Sequence, residues 1–383
     1  MKIGILTHPL ETNYGGILQA FALQKTLRSL GHEAITINRH NHEQYYSTTH
    51  QLMSFGKRIW EFYIKQKNVS PRWNPFLTRT ELDIITKNLQ SFISNNIVTT
   101  EWCYSEDLSR IDDIYQFDAY VVGSDQVWMP GYCLNSFLDF VKRDNVIKIA
   151  YAASSGSTSF VNNPFLLKQC KYLAKDFKAL SARESSLAHL VQEGLDTIVS
   201  VVLDPTLLID TKDYLNAITT SNEVEPTIFS YILDKTAEKQ VLLNRIAEKI
   251  RLPLVSGNVT KYYKPGGLYR IDECVYPSID DWINNINRSK FVVTDSFHGT
   301  ALAILFNKPF ITIINNQRGR DRFLSLFEIL QIPENRMLDT TNVSDLDNIL
   351  TYDIDFTKIN QAIMYQRCHS LEFLKKNLCH NDI

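Results

Sequence analysis

What most limits the folds open to this chain is a rhythm, in which short, nearly continuous apolar runs alternate with longer segments of helical periodicity. Runs with no polar face suit parallel strands covered on both sides by helices. Residues 3–6 form the first run. A helix over residues 16–30 follows, with Leu18, Phe21, Ala22, Lys25 and Leu30 close to a 3.6-residue period and Gly31 ending it; residues 34–37 are the next strand. From about residue 41 to 103 the rhythm lapses into aromatic and polar residues (Tyr45, Tyr46, Trp60, Tyr63, Trp73), which predicts a helical excursion. Strands then resume at 119–122, 148–152, 179–182 and 200–203.

A polar stretch over 219–225, closed by Pro226, marks a linker. Beyond it the pattern predicts strands at 227–233, 253–256, 291–295 and 309–314 and helices at 239–250, 278–287 and 301–306. Two terminal helices follow, at 322–330 and 356–378. A chain of 383 residues exceeds the size at which one core stops growing. We therefore expect an N-terminal Rossmann-like domain over 1–218, a C-terminal one over 226–355, and a segment over 356–383 whose helix returns to the first. This is an α/β, GT-B-like architecture: two doubly wound Rossmann-like domains facing a central cleft, with ligands at the carboxyl ends of both sheets.

Charge excludes one partner class. With 40 basic and 42 acidic residues interspersed, the formal net charge is −2 and supplies no footprint for a nucleic-acid backbone. The opening apolar stretch stops at Thr7-His8-Pro9, and no run approaches the roughly 18 residues of a membrane span, so a cytoplasmic protein is expected. Six cysteines without metal-ligand spacing are expected to be reduced and mostly buried.

Five segments sit where this architecture meets ligand. In the loop after the first strand, Asn13-Tyr14-Gly15-Gly16 offers close backbone approach and free helix N-terminal amides; a tight turn explains the glycines equally well. Gly123-Ser124-Asp125-Gln126 ends a buried strand, where a helix cap is the alternative to a ligand contact. Arg183 directly follows a central strand and needs an anionic partner, ligand or internal, although adjacent Glu184 is poorly placed for it because sequence neighbours rarely face each other. His298, in Asp295-Ser296-Phe297-His298-Gly299, ends a strand ahead of an apolar helix, as a catalyst or as a satisfied structural histidine. Arg318, Arg320 and Arg322 crowd five residues after the last strand, as an anion clamp or a solvated loop.

Taken in order, these segments resemble the polysaccharide pyruvyl transferase family. The matching residues are Asn13-Tyr14-Gly15-Gly16, Val121 to Trp128, Ser181-Ala182-Arg183-Glu184, Asp204-Pro205-Thr206 and Thr294 to Gly299, spread over roughly residues 1–330. The resemblance implies phosphoenolpyruvate as donor co-substrate, no other cofactor, no metal, and a saccharide acceptor of a cell-surface glycan. Such acceptors are polymeric or lipid-linked, which brings in association with the inner face of a membrane. It further implies His298 and Arg183 as catalytic, with Ser296, Gly299, Arg318 and Arg320 joining them on the donor. Asn13, Tyr14, Gly15, Ser124, Asp125 and Trp128 are the acceptor candidates. Some family members carry arginine where this chain has Ser296, which shifts the donor's anion contacts toward Arg318 and Arg320. A nucleotide-sugar glycosyltransferase and a non-catalytic carbohydrate-binding protein are the rival readings.

Overall fold

The computed structural model describes residues 1–44, 47–156, 160–221, 225–314, 319–340, 346–351 and 353–379. The first half contains β1 (Lys2–Leu6), α1 (Tyr14–Ser29), β2 (Glu33–Thr36) and β3 (Arg39–His40), then α2 (Thr48–Tyr63), α3 (Arg79–Asn96) and β4 (Cys103–Tyr104). It continues with α4 (Leu108–Tyr115), β5 (Ala119–Val122), α5 (Cys133–Ser136), β6 (Ile147–Ala153), α6 (Pro164–Ala174), β7 (Ala179–Ala182), α7 (Ser185–Leu195), β8 (Val199–Val201) and α8 (Thr211–Asn216). The main sheet runs β2-β1-β5-β6-β7-β8, parallel throughout. The excursion between β3 and β4 is mostly helical, as its composition predicts, and the two short strands that bound it pair in parallel.

The second half contains β9 (Ile228–Tyr231), α9 (Ala237–Ile250), β10 (Leu254–Ser256), α10 (Ile279–Arg288), β11 (Phe291–Thr294), α11 (Phe297–Leu305) and β12 (Phe310–Ile313). It ends with α12 (Arg320–Ile329), β13 (Met337–Leu338), α13 (Leu346–Thr351) and α14 (Phe356–Asn377). Its sheet, β10-β9-β11-β12-β13, is also parallel. Strand order reverses at β1/β5 in one sheet and at β9/β11 in the other, and the loops leaving those strands frame the crevices that such sheets offer to ligands. The fold is therefore GT-B-like, with two Rossmann-like halves.

The halves share apolar core. One cluster joins Ile3, Ile17 and Phe21 of the first half to Phe229, Trp282, Ala301 and Phe310 of the second. Tyr14 stacks on Trp282 with centroids 5.8 Å apart, and α14 crosses back so that Ser370 Oγ accepts from Leu203 N at 2.9 Å. An interface of this apolar kind resists hinge motion, which fixes the spacing across the cleft.

Several helices start earlier than the sequence suggests, and two of those starts matter at the site. α1 begins at Tyr14, two residues early, which puts Gly15 and Gly16 inside its first turn. α11 begins at Phe297, not after Thr300, because Ser296 Oγ accepts from Gly299 N at 3.3 Å and caps it. His298 is thus a residue of the helix's first turn.

Candidate active site

Five chain segments converge between the facing sheet ends. Asp204, just beyond β8, is held rigidly: its Oδ1 accepts from Thr206 N and Thr206 Oγ1 at 3.0 and 2.8 Å, and Ser124 Oγ lies 3.0 Å from its Oδ2. Arg183 Nη1 donates to the same Oδ2 at 2.7 Å. The Arg183 guanidinium also reaches Asp125 Oδ1 at 3.3 Å through Nη2 and Glu184 Oε1 at 3.4 Å through Nε, so the adjacent glutamate does pair with it after all. It lies 4.4 Å from the centre of the Phe297 ring.

His298 enters from the other half. Its Nε2 stands 3.4 Å from Arg183 Nη1 and 3.7 Å from Asp204 Oδ2. Its opposite face lies against Gly15: a Cβ on that residue would fall 2.1 Å from Nδ1 and 2.4 Å from Cγ. Only glycine lets α1 and α11 approach this closely, and that approach fixes the imidazole.

Electrostatics separate the three acids. Burial alone would raise the pKa of Asp204, but the charges and hydrogen bonds of His298 and Arg183 outweigh it and hold the carboxyl well below the usual carboxylate range. Asp125 is likewise lowered, burial being overcome by Arg183, then His298 and His8. Glu184 goes the other way: burial raises it, and Arg183, the Ser154 hydroxyl donating to Oε1 at 2.5 Å, and Arg322 only partly offset this. Its Oε2 is buried with no hydrogen-bond partner. A low acid and a raised acid around one arginine and one histidine divide proton-donating from proton-accepting duties.

A second arginine faces the cluster. Ser325 Oγ accepts from Ser185 N at 2.9 Å, which docks α12 on the start of α7; one turn earlier, Arg322 projects toward Arg183, Glu184 and Asp125. Burial and the neighbouring Arg183 lower its pKa, and its Nε is buried without a hydrogen-bond partner. Gly319, at φ 72°, makes room for it, since a Cβ there would lie 2.4 Å from Arg322 Nη2.

The sequence candidates sort unevenly. Arg183, His298, Asp125 and Gly15 meet at one point, and Asn13 is exposed at its rim, donating to Asp125 Oδ2 at 3.0 Å. Tyr14, 1% exposed, is interior instead: its hydroxyl donates to Pro277 O at 2.6 Å. Trp128, 0% exposed, packs on Phe137 and Phe160 in the core. Neither ring presents a face to an acceptor, because each completes apolar packing behind its loop. Ser124 is also enclosed, as a support for Asp204, and the Ser296 hydroxyl is occupied as a helix cap. Gly299 packs against Thr294, with no room for a Cβ. Arg320 is exposed at the start of α12, and Arg318 lies outside the described residues. Sequence reasoning missed Asp204 and Glu184 as site residues, though Asp204-Pro205 stops a strand where ligand-facing residues belong.

A family model described as polysaccharide pyruvyl transferase matches residues 13–317. No curated protein matches the chain. Among solved structures, S. aureus MnaA with UDP is similar at 13% identity and TM-score 0.56, covering 98% of this chain and 96% of that one. A proposed UDP-N-acetylglucosamine 2-epimerase from Listeria monocytogenes is similar at 10% identity and TM-score 0.55, over 100% and 98%. The glycotransferase of kitacinnamycin is similar at 8% identity and TM-score 0.51, over 99% of both chains. At these identities the likeness is one of fold.

Proposed function

The chain belongs to the polysaccharide pyruvyl transferase family, and from that premise we propose that it moves the enolpyruvyl unit of phosphoenolpyruvate onto two hydroxyls of a glycan sugar, forming a pyruvate ketal and releasing phosphate. The observation that carries this reading is the meeting of His298 from one half with Asp204, Arg183 and Asp125 from the other, at the facing sheet ends.

Each step has a residue suited to it. Phosphoenolpyruvate carries two to three negative charges on a compact frame, so its site needs a cation not already neutralised. Arg322, with its unpartnered Nε, fills that part better than Arg183, whose guanidinium is shared among three carboxyls; Arg183 is a positioning residue that holds the cluster. A proton must reach the methylene carbon as C2 becomes oxocarbenium-like. Glu184, kept toward its acid form and with a free Oε2, is suited to give it. His298 takes the proton of the attacking hydroxyl; the second hydroxyl then closes the ring, its proton passing to the phosphate that leaves with the electrons of its C–O bond. Positioned proton transfer of this kind contributes about 10²–10⁴-fold.

The lipid-linked form of the acceptor is part of the proposal. Support comes from α2, which turns Leu52, Met53, Trp60 and Tyr63 outward beside Lys57 while burying Gln51 and Arg58, the pattern of a helix that meets a bilayer surface. Among the described residues no helix is long and apolar enough to cross one. Flotation with phosphatidylglycerol vesicles tests this, and failure to float would refute it.

The test of the function is incubation with phosphoenolpyruvate and a panel of glycosides, scoring phosphate release and the mass gain of one ketal. Thermal protection by UDP in place of phosphoenolpyruvate, with no phosphate released, would instead favour a nucleotide-sugar enzyme.

A further inference from the structure

A second cavity, of about 270 Å³, opens beside the site, where the excursion of the first half meets the 257–277 loop of the second. Its lining includes Glu11, Glu43, Phe76, Arg79, Tyr104 and Tyr263. None of the arginines, acids or histidine of the reaction cluster lines it. The cavity is built from both halves, which are tied together at its wall: Tyr263 Oη donates to Pro75 O at 2.7 Å, and Ser70 N donates to Gly266 O at 2.8 Å.

Its chemistry is that of sugar recognition. The Tyr104 ring is fixed by stacking on His42, centroids 3.8 Å apart, and by a T-shaped contact with Trp102 at 4.3 Å. Fixed aromatic faces, negative at the centre, attract the weakly positive C–H face of a pyranose at little entropic cost. Between them stand carboxylates braced to accept hydroxyl hydrogens. Glu11 Oε1 lies 3.2 Å from His40 Nδ1 and 3.8 Å from Arg79 Nη1, and Glu43 Oε1 accepts from Arg79 N at 2.7 Å. With two acids set against Arg79, the lining has no cationic surplus for a uronate or a phosphate. At this volume, near the lower end for ligand pockets, it suits one sugar ring better than a nucleotide.

Glu11 lies on the loop that also carries Asn13 and Gly15. Glu11 stands four positions before the glycine that touches His298, so the Cα atoms of those two residues are at most about 14 Å apart. A short glycan can span both.

We propose that this cavity is a second saccharide subsite, holding a neutral sugar farther along the glycan while the terminal sugar reacts at His298. The proposal rests on the pyruvyl-transfer reading for its reaction but not for its binding. It makes the preferred acceptor a neutral disaccharide or longer, selected over its terminal monosaccharide.

The experiment is a glycan array of neutral and uronate-containing mono- to tetrasaccharides, probed with wild-type protein, Tyr104→Ala, Tyr263→Ala and Tyr263→Phe, followed by phosphate release from phosphoenolpyruvate with each retained glycan. Wild type is expected to retain neutral glycans of two or more sugars and not their terminal monosaccharides. Both alanine variants should bind them at least about tenfold more weakly. Tyr263→Phe keeps the ring and should keep binding, which separates a lost stacking face from a misfolded chain. The subsite is overturned if no neutral glycan is retained, if monosaccharides bind as well as longer glycans, or if both alanine variants bind like wild type. Retention with the expected variant pattern but no phosphate release from wild type upholds the subsite and sinks pyruvyl transfer.

Discussion

The contact between Gly15 and His298 can be put to a test in which two physical effects have opposite signs. Gly15 lies in the first turn of α1, and alanine in a helix is ordinarily more stable than glycine by roughly 0.5–1 kcal/mol. Here the new methyl would sit 2.1 Å from His298 Nδ1, and ordinary contact begins near 3.4 Å, so about 1.3 Å must be found. The imidazole has little room to retreat, because every residue of α11 is buried, and α1 is packed nearly as tightly. Overpacking of this kind costs about 1–3 kcal/mol, more than the helix gains, and a shift of about 1 Å in a reacting group costs on the order of 10²-fold in turnover. Gly15→Ala should therefore melt lower by roughly 2–4 °C and lose about two orders of magnitude in kcat. The control is the double variant. In a His298→Ala background the obstruction is gone, so the same Gly15→Ala change should be neutral or stabilising, a coupling of about 1–3 kcal/mol by melting. A Gly15→Ala protein that melts higher than wild type and turns over normally would show that α1 and α11 do not meet as described.

Three further outcomes follow from the cluster. His298→Ala should lower kcat by about 10²–10⁴-fold with little change in donor KM, since the ring moves protons and does not anchor anions; a near-wild-type kcat in steady-state assays would remove it from the mechanism. Arg322→Ala should raise the donor KM while Arg320→Ala, changing an exposed residue, should not; the reverse ranking would return the donor clamp to the sequence expectation. In the pH dependence of kcat, the basic limb should report Glu184, whose raised pKa keeps the needed acid form to higher pH and loses it as pH rises through that value. Glu184→Gln should abolish that limb, and an unchanged limb in the variant would refute the assignment.

Much of the architecture was legible in the chain because fully covered parallel strands read as apolar runs, and every strand of the two large sheets except the short edge strand β13 falls within a few residues of its expected place. Helix starts were harder. Ser296 looks like a ligand contact in sequence, but its hydroxyl meets the Gly299 amide, and nothing in composition separates the two uses. Tyr14 and Trp128 misled for a related reason: an aromatic beside a ligand loop can face the cleft or the core, and only tertiary packing decides. Arg322 was hidden inside a run of arginines, its own direction being set by the docking of Ser325 on Ser185, 140 residues away in sequence.

Arg183 shows most clearly how the structure redirects a sequence expectation. An unpaired buried arginine invites a ligand anion, but this one already holds Asp204 at 2.7 Å, Asp125 at 3.3 Å and Glu184 at 3.4 Å. For it to turn to the donor, buried acids would be left without their counter-charge, and breaking such a pair costs about 3–5 kcal/mol. Arg183→Ala should then be chiefly a stability variant, losing about that amount in denaturant melts at neutral pH, where Asp125 and Asp204 are ionised. The loss should shrink in acid: lowered folded pKa values give stability that is present above the ordinary carboxylate range and fades as pH falls through them. Arg183→Lys should restore only part of it, because one ammonium cannot reproduce a guanidinium bridging three carboxyls. If Arg183→Ala instead melted like wild type and showed only a raised donor KM, the guanidinium would be a donor clamp, and the arrangement of acids around it would need another explanation.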